Sequence, residues 1–158
     1  MLQMKKDSLY NHKDKKQTLK TYFGYDSFRP GQEEIVDRIL AGQDVLAVMP
    51  TGAGKSLCYQ LPALLMNGIS LVVSPLISLM ADQVRALNEA GVHAAYINSS
   101  LTENQIARAL ELAAAGRYKI IYVAPERLVT PRFLDFACHV ELSVLAVGEA
   151  HWISQRGQ

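Results

Sequence analysis

Short β-rich apolar runs alternate with longer stripes of helical spacing along the chain. The runs lie at residues 45–49, 70–73, 94–97, 120–123 and 143–147, each long enough for one strand. The spacing predicts helices between them over 55–66, 76–90 and 102–115, and ahead of them over about 15–23 and 30–41. Ile35, Val36, Ile39 and Leu40 share one face of the second helix. Leu76, Leu79, Met80, Val84 and Leu87 form the stripe of the 76–90 helix, and Ile106, Ala109, Leu110 and Ala113 that of the 102–115 helix. Thr102 and Gln105 have capping-box spacing at the start of the latter. Strands apolar on both faces and joined by helices imply an α/β fold, a mostly parallel sheet flanked by helices. In such sheets ligands gather at the carboxyl ends of the strands.

Length and composition narrow the class. The 158 residues suit one lobe, read as a polar basic leader at 1–14 and a single α/β unit over 15–158. With 49% hydrophobic and 20% charged residues the chain is neither disordered nor fibrous. Six lysines against two aspartates in the first twenty residues leave −3 on the remainder of a chain whose net charge is +1. Bulk charge therefore gives no nucleic-acid footprint beyond the leader, and any such partner must be argued from local constellations. Cys58 and Cys138 sit in apolar neighbourhoods without metal-site spacing and read as buried small hydrophobes. No apolar run reaches the length of a membrane span and no signal-peptide block opens the chain, so no membrane partner is expected and a cytoplasmic setting is the default.

The strongest chemical signal is MPTGAGKS at residues 49–56, which follows an apolar run and opens a helix. Thr51, Gly52, Ala53 and Gly54 make a tight turn whose amides point at phosphate oxygens, and the helix after it adds its positive dipole end. Lys55 reaches the β- and γ-phosphates, and the Ser56 hydroxyl holds Mg²⁺, which makes the ligand a metal–nucleoside triphosphate. Met49 stands where the strict phosphate-loop pattern has its first glycine.

FGYDSFRPGQ at 23–32, the loop above, SPLISLMADQ at 74–83, YVAPER at 122–127 and GEAH at 148–151 together resemble the RecQ family of DNA helicases, from about residue 17 to the end. The resemblance implies the first RecA-like P-loop lobe of an ATP-driven enzyme that unwinds DNA 3′ to 5′ in recombination and repair, truncated here and without its second lobe. It implies an adenine pocket of Tyr25, Arg29 and Gln32, the amide meeting the paired donor and acceptor of adenine. On residues alone, Tyr25 and Phe28 serve as well as core aromatics. The family tracks single-stranded or partly duplex DNA with loops matching Ser74, Pro75 and Leu76, and Pro125, Glu126 and Arg127. Ser74 and Pro75 also suit a helix start with free amides, a device that residues 124–127 repeat. Asn98 and Ser99 are further DNA candidates, though turn chemistry explains them equally.

The chain departs from the family at its end. Gly148 stands where the family has an aspartate of the Mg²⁺ shell. By resemblance Glu149 positions the attacking water, His151 links nucleotide to DNA, and Trp152 and Gln155 belong to an aromatic-rich coupling loop that diverges at Trp152, Arg156 and Gln158. ATP binding survives this pattern better than hydrolysis, because amides and Lys55 supply most of the phosphate grip. A nucleotide- or DNA-binding module without turnover is therefore the alternative to an active helicase lobe. A small phosphotransferase lacks any Arg-bearing lid or acceptor site in the sequence.

Overall fold

The structure, a computed structural model, describes residues 12–49 and 54–148. They fall into two compact units divided between Asn67 and Gly68.

In the first unit α1 (His12–Thr18) runs into one π-helical turn, Leu19–Phe23, that stops at Gly24. α2 (Gln32–Leu40) and α3 (Lys55–Leu65) follow. Leu19, Val36, Leu57 and Leu61 form the core, with Phe23, Phe28, Leu40 and Leu65 packed against it. Lys15 is buried beside this core and bonds Glu33 at 3.0 Å and Asp37 at 2.6 Å, which ties α1 to α2. Burial pulls the Lys15 pKa down, but the two carboxylates more than reverse this and leave it above the ordinary lysine value.

The apolar run at 45–49 is not a strand. Residues 43–49 join no ladder among the described residues, and Leu46 and Val48 are 95% and 92% exposed. A continuous apolar run supplies side chains for a buried strand, but a strand also needs a neighbour for its N–H and C=O groups.

In the second unit β1 (Ile69–Val73), β2 (Ala94–Ile97), β3 (Ile120–Val123) and β4 (Leu142–Val147) lie in the order β2-β3-β1-β4, with every ladder parallel. α4 (Ile77–Glu89) and α5 (Glu103–Ala114) supply two of the crossovers. α6 (Pro125–Leu128) and α7 (Pro131–Cys138) supply the third. The capping box forms: Thr102 Oγ1 accepts from Gln105 N, and Gln105 Oε1 accepts from Thr102 N. Ile69, Leu71 and Val73 share one face with Ile121 and Val123, covered by Ile106 and Leu110 of α5 and by Phe133 and Phe136 of α7. Central β1 and β3 are buried throughout, whereas the edge strand β4 leaves Leu145 and Val147 exposed. α7 has no counterpart in the sequence expectations. Cys58 is buried as expected; Cys138 is exposed, because it lies about 200° around α7 from Phe136.

Candidate nucleotide and nucleic-acid sites

Nucleotide candidates cluster in the first unit. Gly54 precedes α3 with φ +76°, a left-handed conformation that side chains oppose. A Cβ there would also meet Gln32 Nε2 at 2.4 Å. Lys55 is therefore the first residue of an eleven-residue helix whose unsatisfied N–H groups and positive dipole end face the turn before it. Lys55 is exposed and Ser56 half-buried. Thr51, Gly52 and Ala53 lie outside the described residues.

Gln32 is 4% exposed and spans the site. Its Oε1 accepts from Arg29 N at 2.8 Å, and its Nε2 donates to the Gly54 carbonyl at 3.1 Å. By resemblance this amide meets adenine, and on residues alone it reads equally as an exposed helix residue; the structure buries it and adds a tie between the 29–32 turn and Gly54. Tyr25 and Arg29 are exposed, whereas Phe28 packs on the core, which separates the two aromatics. Behind the loop, Cys58 Sγ lies 3.8 Å from the Gly54 carbonyl and 3.9 Å from Met49 Sδ. Burial pushes its thiol up, which keeps it protonated and apolar in character.

A magnesium nucleotide fits these groups. No group of three or more His, Cys, Asp or Glu suited to a metal occurs among the described residues. Mg²⁺ typically keeps several waters and takes few protein ligands besides substrate phosphates, so the Ser56 hydroxyl is a sufficient kind of anchor.

The second unit gathers the DNA candidates at the carboxyl ends of its strands. Strand order sets loop 98–102 beside 124–127, then 74–76, then Gly148. Main-chain bonds stitch them: Ala124 N to Ile97 O, Ser74 N to Val123 O and Gly148 N to Val73 O. Ser74 is buried and its Oγ accepts from Leu76 N at 3.2 Å, so it shapes the turn leading into α4, three residues before Ile77, instead of capping the helix directly. Pro75 and Leu76 are exposed, and Leu76, the N-cap of α4, makes no side-chain cap bond.

Two loops take a form that the residues alone leave open. Asn98 is fully buried; its Oδ1 accepts from Ser100 N and Oγ, and its Nδ2 faces Met80 Sδ at 3.5 Å. It organises the loop and offers nothing outward, while Ser99 is exposed. The helix start at 124–127 forms, with Pro125 at the first position of α6, but α6 is a single turn and gathers a smaller dipole than α4. What that loop presents is charge: Glu126 is exposed, and the Arg127 Nη1 contacts Glu103 Oε1 at 3.0 Å. Arg132 Nη1 donates to the Glu103 carbonyl at 3.3 Å. Neither Glu103 nor Arg132 stands out in the sequence, since the contacts of Glu103 with Arg127 and Arg132 join residues 24 and 29 apart across two crossovers. Glu149, His151, Trp152 and Gln155 lie outside the described residues.

At Gly148 the backbone does not require glycine: its φ is outside the left-handed range and a Cβ would lie 3.8 Å from Val73 O, an ordinary contact. No described helix is long and apolar enough to cross a membrane.

Comparison with known proteins gives the family of the chain and a shared fold. The chain is 49% identical over 88% of its length to the ATP-dependent DNA helicase RecQ of Haemophilus influenzae, and 48% identical over 86% to that of Bacillus subtilis. It spans only 22% and 23% of those proteins. A crystal structure of a hypothetical ATP-dependent RNA helicase from Sulfolobus tokodaii shares the fold, with TM-score 0.67, 22% identity, and 93% of this chain and 44% of that one covered. The family model for DEAD/DEAH box helicase matches residues 29–158. The chain belongs to the DEAD/DEAH box helicase family.

Proposed function

We propose that the chain is the ATP-binding part of a RecQ-type 3′–5′ DNA helicase, acting in recombination and repair, which takes Mg²⁺–ATP at the turn before Lys55. The observation that carries this reading is the Gln32–Gly54 bond, which connects the residue suited to a purine edge with the turn suited to phosphates. Tyr25 and Arg29 flank the base, and Lys55 neutralises the β- and γ-phosphates. Bound Mg²⁺ supplies charge neutralisation across the phosphates, and Ser56 holds it. Glu149 orients the attacking water. Pro75, Leu76, Ser99, Pro125, Glu126 and Arg127 meet single-stranded or partly duplex DNA, with Ser74 and Asn98 shaping their loops. His151, Trp152 and Gln155 couple the two ligands.

Gly148 favours a second reading, a nucleotide- or DNA-binding module without turnover, since a carboxylate is missing where the backbone admits one. Phosphate release by the purified chain, with and without single-stranded DNA, separates the two. DNA-stimulated release supports the helicase reading. Saturable nucleotide binding with no release, restored by Gly148→Asp, favours the module; absence of nucleotide binding overturns the helicase reading, and absence of DNA binding as well overturns both.

A further inference from the structure

We propose that Glu103 is a resident counter-ion that holds the Arg127 guanidinium at the strand-end loops until a nucleic-acid phosphate replaces it, with Arg132 as the second cation of the same site. This rests on the DNA-binding reading above and deepens it. β2 and β3 are neighbours, so the start of α5 and the α6 turn lie side by side at the carboxyl end of the sheet. Glu103 occupies the first turn of α5, where the helix dipole favours negative charge. Its Oε1 meets Arg127 Nη1 at 3.0 Å, and its main-chain oxygen accepts from Arg132 Nη1 at 3.3 Å. Two guanidinium groups thus converge on one acidic residue.

The exposures are unequal, and that asymmetry gives the site its direction. The Arg127 side chain is 22% exposed, and its backbone is held by Thr130 Oγ1, which donates to the Arg127 carbonyl at 2.8 Å. The Glu103 side chain is 68% exposed. The carboxylate is therefore free to swing into water while the guanidinium stays in place. A phosphodiester brings the same formal charge with two non-bridging oxygens, which match the arginine fork better than a contact through Nη1. The capping box uses Thr102 and Gln105 and does not depend on the Glu103 carboxylate, so the helix start survives its removal.

The test is fluorescence anisotropy of a labelled oligodeoxythymidine with the whole chain at low salt. Glu103→Gln is expected to tighten binding about two- to fivefold, the range in which a part-exposed ion pair acts when it must be broken. That gain should vanish in Glu103→Gln/Arg127→Ala. Glu111→Gln, which removes an equal charge from the same helix at the Arg108 pair, controls for overall charge and should give a smaller change. Arg132→Ala should weaken binding and lower its salt dependence. If Arg127→Ala weakens binding but Glu103→Gln does not tighten it, or the gain persists without Arg127, the counter-ion proposal fails and the DNA-binding reading stands. If the unmodified chain and all variants fail to bind, the DNA-binding reading fails and takes the proposal with it.

Discussion

The Gln32 side-chain amide donates to the main-chain oxygen of Gly54 at 3.1 Å, so a residue at the start of α2 holds the residue that caps α3. This bond joins two elements that the chain separates by 22 positions. It makes the shape of the phosphate turn depend on whatever occupies Gln32.

Gln32→Ala removes that tie and leaves the Arg29 amide and the Gly54 carbonyl short of one partner each. A loss of about 1–3 kcal/mol is expected, seen as a lower urea midpoint and as nucleotide affinity weakened about tenfold or more. Selectivity for ATP over GTP should fall in the same variant. Competition of the two nucleotides against a fluorescent ATP analogue measures both effects.

Gly54→Ala should destabilise for two reasons that can be separated. The left-handed backbone costs a side chain about 1–2 kcal/mol, and the new Cβ displaces the Gln32 amide from 2.4 Å. In Gln32→Ala/Gly54→Ala the second cost disappears and the first remains. Combined losses smaller than additive in denaturant titrations are the expected result, and strict additivity would show that the two residues do not press on each other.

Lys15 gives a test of the first unit alone. Lys15→Met leaves Glu33 and Asp37 without their shared cation, and because both acids are partly exposed the loss should be about 1–3 kcal/mol, below that of a fully buried pair. The folded pKa of Lys15 is raised, so its stabilisation is complete below the ordinary lysine value of 10.5 and is lost as pH rises through the higher folded value. Urea midpoints of the two proteins should therefore differ at pH 8 and converge only well above pH 10.5.

Gly148→Asp should fold without penalty, within about 0.5 kcal/mol of the unmodified chain, since the added Cβ meets Val73 O at 3.8 Å. By the family resemblance of residues 148–151, an acidic side chain at position 148 should raise Mg²⁺-dependent nucleotide affinity about tenfold. Calorimetry with and without Mg²⁺ reads this, and an equal affinity in both proteins would remove Gly148 from the metal argument.

Much of this molecule is legible in the residues, and the failures share a physical cause. β2 and β3 match the apolar runs at 94–97 and 120–123 residue for residue: Ile120, Ile121 and Val123 make β3 β-branched, whereas β2 is delimited by the helical stripes on either side of it. The Thr102–Gln105 cap is local and reads directly. The 45–49 run fails because pairing is not a local property. α7 is missed although Thr130 and Pro131 mark a start and Phe133 and Phe136 a face. Cys138 and Asn98 show that an apolar or polar neighbourhood in the chain does not fix which way a side chain turns. At the site, the phosphate-loop residues are recognisable by type, whereas the Gln32–Gly54 and Arg127–Glu103 contacts exist only once distant segments meet.

The central claim, that the turn before Lys55 holds the phosphates of ATP, is tested most directly by titrating a fluorescent ATP analogue with Mg²⁺ into the unmodified chain and into Lys55→Ala. Saturable binding by the former, weakened at least about tenfold in the latter, is the expected result. Equal affinity in the two proteins, or no binding by either, would contradict it.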